Sequence, residues 1–115
     1  MSKMERSAGA EDLRGRVFEL KGLVGYQAGS VVSREIVSQK TGTVTVFAFA
    51  SGQGLSEHTA PFDAMVLGLD GEAEVFIGGE PNRVARGDMI IMPAGVPHAL
   101  KATKNFKMLL VMIKK

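Results

Sequence analysis

The sequence predicts an all-β fold, a compact antiparallel barrel or sandwich of about eight to ten short strands. Three observations carry that expectation. Apolar runs of strand length recur along the chain with almost no helical periodicity. Pairs such as Asp70-Gly71, Gly78-Gly79 and Gly87-Asp88 divide those runs with turn chemistry. Several runs are also apolar on both faces: in Thr43–Ala50, Val44 and Val46 fall on one side and Phe47 and Phe49 on the other. Strands of this kind are covered on both sides. With little helix to supply the cover, the second layer is either another sheet or another subunit.

Taken in order, residues 1–16 are polar with mixed charge and read as a flexible arm. Residues 17–115 form the single domain. Phe18, Leu20, Leu23 and Val24 suggest a short strand or turn. Ser30–Val37 reads as a strand, and Thr43–Ala50 is the strongest β signal, dense in β-branched and aromatic residues. Residues 51–57, SGQGLSE, read as a loop. Ala64–Leu69 is an apolar strand ended by Asp70-Gly71, a hairpin signal. Glu72–Ile77 follows, then a Gly78–Pro81 turn, a return strand over Arg83–Arg86 and a buried strand over Met89–Met92. Pro93-Ala94-Gly95-Val96-Pro97 is a rigid bend, because two prolines fix φ and a glycine can take φ > 0. His98–Thr103, a Lys104-Asn105 turn and a strand over Phe106–Ile113 complete the chain.

The composition removes several function classes. There is no cysteine, hence no disulfide framework and no thiolate metal site. The net charge of +2 is small and its lysines and arginines are scattered, which gives no reason to expect a nucleic-acid or membrane partner. No apolar run approaches a membrane span and the first residues lack the apolar segment of a signal peptide. A soluble, cytoplasmic protein is expected.

Two spaced motifs carry the functional reading. Gly87, Pro93, Gly95 and His98 are separated as a glycine, five residues, Pro-x-Gly, two residues and a histidine. Gly52, His58 and Gly71 fit a second pattern in register: a glycine, five residues, His-x-His, three residues, a glutamate, six residues and a glycine. Together they resemble the two signatures of the cupin superfamily. The resemblance implies a small single-domain double-stranded β-helix, or jelly-roll barrel, commonly a homodimer whose partner would cover the two-faced strands. It also implies a metal held by two histidines and a glutamate from one signature and a histidine from the other. Here the second histidine position is Ala60, the glutamate position is Ala64, and the asparagine usual after the other signature is Ala102. His58 and His98 remain.

Two imidazoles alone hold a metal weakly, since a catalytic site wants at least three protein ligands. A set of His58, His98 and Asp63 could complete a two-histidine, one-carboxylate site for zinc, iron, manganese or nickel. Asp63 and Glu57 lie at positions whose parity directs them away from the pocket in a regular strand, but Pro61 and a bulge could turn Asp63 inward. Asp63 could instead tune a histidine as a general base, with His58 and His98 as the catalytic candidates. Tyr26, the one tyrosine, reads as a partly buried loop residue. Met65, Met89, Met92, Met108 and Met112 read as core filler and suggest an adaptable apolar pocket. Arg34 and Arg83 default to solvated strand faces. The expected function is binding of a small molecule at His58 and His98, with a loosely held divalent metal as an option. An isomerase, epimerase or dioxygenase acting on a sugar or small organic acid is the alternative. An inward carboxylate would favour the enzyme; a dry, methionine-rich pocket would favour binding.

Overall fold

A computed structural model describes residues 3–6, as backbone, and 12–114. Its strands are β1 (Lys3–Arg6), β2 (Ser30–Gln39), β3 (Gly42–Phe49), β4 (Gly54–His58), β5 (Ala64–Ile77), β6 (Glu80–Ala85), β7 (Met89–Met92) and β8 (His98–Ile113). Much of the expected N-terminal arm, residues 1–2 and 7–11, lies outside the described residues. The backbone of β1 runs parallel to the start of β2.

The long strands β5 and β8 pair antiparallel from end to end and bend together, so that each serves both layers. One layer has the order β2-β3-β8-β5-β7, using the second half of β8 and the first half of β5. The facing layer has the order β4-β8-β5-β6 and uses the other halves. Two antiparallel layers joined by shared, bent strands make the jelly-roll barrel.

The bend corrects two sequence expectations. Asp70-Gly71 is not a hairpin, and Lys104-Asn105 is not a turn between strands; both lie inside continuous strands. The pairing slips between Gly68 and Asp70 and again between Gly71 and Ala73, which marks bulges that curve a strand without ending it. Gly71 has φ +73°, and a Cβ there would collide with the Asn105 carbonyl of β8. Glycine is therefore required both by the backbone angle and by the close approach. The side chain of Asn105 accepts the Ser51 N–H at 2.9 Å and closes the outside of the corner. The Gly78-Gly79 pair does form the expected hairpin, with both residues at positive φ, as a two-residue turn needs. Residues 54–57, expected within a loop, form β4 together with His58; Gly54 and Leu55 pair with Lys101 and Leu100. The segment GLSEH has no β-branched residue or apolar alternation to announce a strand.

Two cores result. The larger lies between the layers, with Val31, Phe47, Phe49, Val66, Val75, Val84, Leu100, Phe106 and Met108 among its buried members. The smaller lies outside the first layer, where the 3-10 turn Leu20–Leu23, Val24 and Tyr26 cover Val46 and Ala48. The Tyr26 hydroxyl donates to Asp70 Oδ2 at 2.5 Å and anchors that flap to the bend. Burial and the neighbouring carboxylate push the phenol above its ordinary pKa. Among the described residues, nothing covers the remainder of this outer face. Met89 and Ile91 of β7 are 55% and 52% exposed, and Ile113 and Val37 are exposed as well. Among the described residues no helix is long and apolar enough to cross a membrane.

Candidate functional site

The site forms where β4 meets the start of β8. His58 and His98 are cross-strand partners across this antiparallel pair. β4 slips in register between Leu55 and His58, and both residues line one cavity although three positions separate them. A regular strand would have sent them to opposite faces. His98 leaves the Pro93–Pro97 bend, in which Gly95 takes φ +76° and its N–H donates to the Ala60 carbonyl at 2.8 Å. That bond ties the bend to the chain segment following His58.

The two rings meet edge to face, with centroids 4.3 Å apart and planes at 74°. Their Nε2 atoms are 3.1 Å apart. His58 Nδ1 lies 2.8 Å from the Ser56 carbonyl, and His98 Nδ1 lies 3.3 Å from the Val96 carbonyl. A carbonyl only accepts, so these partners assign the proton of each neutral ring to Nδ1. Both Nε2 lone pairs then lean at an angle toward one junction. The pair is complete only when one electrophile, a proton or another cation, sits at that junction. His98 is buried and His58 exposed. Burial, then the neighbouring His58, holds the His98 imidazolium below its ordinary pKa, against a smaller opposing effect of the Val96 carbonyl.

Behind the pair is a cavity of about 50 Å³. Leu55, Val66, Leu110 and three methionines, Met92, Met108 and Met112, supply most of its wall. Among the described residues, the two histidines are the only ones lining it with polar side chains. Ala60 and Ala64, at the two other ligand positions implied by the resemblance, also line it and offer methyl groups. Ala102 is fully buried in the main core.

The remaining candidates are placed elsewhere. Asp63 does not join the histidines: it is exposed, and its Oδ1 accepts the Ala94 N–H at 2.9 Å, which holds the bend instead. The physical reason is parity, since Ala64 next to it faces the cavity. Glu57 is exposed and does not line the cavity. Tyr26 sits on the outer face with Asp70. Arg83 pairs with Glu72, which Lys104 also approaches at 3.6 Å, so Glu72 is not free solvent-side alternation. Among the described residues, no group of three or more His, Cys, Asp or Glu could hold a metal ion. The donor set therefore does not fit a two-histidine, one-carboxylate centre for zinc, iron, manganese or nickel. The methionines divide: Met92, Met108 and Met112 face the cavity, whereas Met89 faces outward. The sequence marks them as core filler that suggests an apolar pocket, but does not separate those that face it from those that do not.

Fold and site together define a small double-stranded β-helix with a histidine-marked pocket at its mouth. The cupin-domain family profile matches residues 45–114, and the chain belongs to that family. A conserved protein of unknown function from Streptococcus pyogenes is 40% identical, with a TM-score of 0.83 over 100% of this chain and 96% of that one. A cupin 2 conserved barrel domain protein from Leptotrichia buccalis is 41% identical, with a TM-score of 0.82 over 84% of this chain and 47% of that one. A cupin superfamily protein from Desulfitobacterium hafniense is 26% identical, with a TM-score of 0.85 over 94% of this chain and 100% of that one. No curated protein matches the chain.

Proposed function

We propose that this cupin is a binding protein for a compact, largely apolar molecule with a single acidic end, such as a small carboxylic acid or phenol. One observation carries the reading: an apolar cavity whose only polar side chains are two imidazoles with convergent Nε2 atoms. An acid that enters gives its proton to the Nε2 junction. Its anion then faces a monocation across a water-poor wall, where the attraction is stronger than in bulk water. Burial disfavours charge on His98, so the shared proton resides nearer the solvent-facing His58 ring. The apolar body of the ligand packs against Leu55, Val66 and Leu110. An isomerase or dioxygenase would need a carboxylate or second proton donor at the pair, and Asp63 and Tyr26 are both engaged elsewhere.

The test is a screen of compact carboxylic acids and phenols by ligand-observed NMR, with protein kept in chelator. Binders are expected to lose affinity in both His58→Ala and His98→Ala. Neutral isosteres binding as well as the acids, or both variants binding normally, would contradict the reading. A second copy of the chain is the proposed protein partner. Supporting it is an apolar ladder on the outer face, Val37–Val44–Val111–Met65–Ile91, in cross-strand register over five strands.

A further inference from the structure

We propose that the same cavity holds one soft monovalent cation, Cu(I) or its redox-inert stand-in Ag(I), between the Nε2 atoms of His58 and His98 and the thioethers of Met92 and Met112. The proposal goes beyond small-molecule binding and shares only the histidine pair with it. Its first support is the junction itself: two lone pairs converge, and both Nδ1 atoms are committed to carbonyls. Their separation of 3.1 Å is close to the edge of about 3.3 Å expected for a tetrahedron with bonds of about 2.0 Å.

The second support is the rest of the wall. Met92 and Met112 are both register partners of Ala64, so the three form one row across β7, β5 and β8. Ala64 between them carries only a methyl group, and all three residues line the cavity. Methionine has the rotational freedom to turn its thioether toward the junction. Among the described residues no carboxylate lines the cavity, and imidazole and thioether are borderline and soft donors, the set that suits Cu(I). Charge selects in the same direction. All four donors are neutral, so a divalent ion would leave twice the uncompensated charge in an apolar interior. The exposed His58 ring gives the ion its approach from solvent.

The experiment titrates the full chain with Ag(I), and with Cu(I) under anaerobic competition from a colorimetric Cu(I) chelator, with no organic ligand present. One ion per chain is expected, with methyl shifts confined to Met92 and Met112 and nitrogen shifts at both Nε2 atoms. Zn(II), Mn(II), Fe(II) and Ni(II) should bind at least about 100-fold more weakly, as the missing hard donors dictate. Met92→Leu and Met112→Leu conserve volume and should fold normally. Combined, they should weaken Cu(I) by about tenfold or more, a loss of about 1.4 kcal/mol or greater. Failure to retain Ag(I), unchanged Cu(I) affinity in the double variant, or tighter binding of Zn(II) than Cu(I) would each overturn the proposal. If Ag(I) is not retained while an acid still binds in chelator, this inference falls alone. If Ag(I) is retained and no acid or phenol binds, the small-molecule reading falls alone.

Discussion

The interior of the barrel has a packed region and a hollow one, built on the same strands. In the packed region Phe47, Phe49 and Phe106 stack, with centroids 5.6 Å apart for the first pair and 6.1 Å for the second. Phe49 and Phe106 are wholly buried. In the hollow region Ala60, Ala64 and Ala99 face methionines and leucines, and about 50 Å³ stays open. β8 supplies both, since Phe106 and Met112 are six positions apart on one strand. The difference is one of side-chain volume rather than backbone. Close packing contributes stability, and a concavity with few polar groups is what a ligand site requires.

Substitutions sharpen that contrast. Phe106→Ala should cost about 3–5 kcal/mol in denaturant unfolding, because its neighbours cannot close around the hole. Met112→Ala should cost about 2 kcal/mol, the low end for such truncations, since Met112 already borders open space. Equal costs at the two sites would mean that the hollow region is packed in solution.

A pH titration addresses the histidine at the rim. With the folded-state pKa of His98 held below its ordinary 6.5, the unfolded chain binds more protons between the two values. The stability that this contributes is fully present above about pH 6.5 and is lost as pH falls through the folded value. Replacing His98 with Gln should flatten that acid slope. An unchanged slope would show that the ring is not buried as described.

The smallest effect on stability belongs to the outer face. Ile91→Glu should change monomer stability by no more than about 0.5 kcal/mol, yet sedimentation should show loss of the proposed dimer. A variant that stays dimeric would move the interface away from β7.

How far the sequence revealed this division depends on the kind of signal. The two-faced strands and spaced glycines were enough for the barrel, and the resemblance to the cupin signatures was enough to bring His58 to His98 from 40 positions away. Parity argued against Asp63, yet a bulge at Pro61 kept it as the expected third ligand; the structure corrects this and holds Asp63 outside the cavity on the Ala94 N–H. The bends were not legible. Asp70-Gly71 has the residues of a hairpin, and Gly71 does take a positive φ, but pairing between β5 and β8 across the bend makes it a bulge. An apolar pocket was suggested by the methionines, but which residues form its wall was hidden for the same reason. The slip in β4 puts Leu55 beside His58, and the bend in β8 returns Met108 and Met112 to the residues around His98. These are tertiary choices that no local window encodes.

The histidine junction is the centre of both functional proposals, and nitrogen-15 spectra of the imidazole rings test it most directly. At a pH where both rings are neutral, the proton is expected on Nδ1 in each, with both Nε2 resonances moving together when a compact acid or Ag(I) is added. A neutral Nε2–H ring in either residue, or two rings that respond independently, would contradict a shared junction.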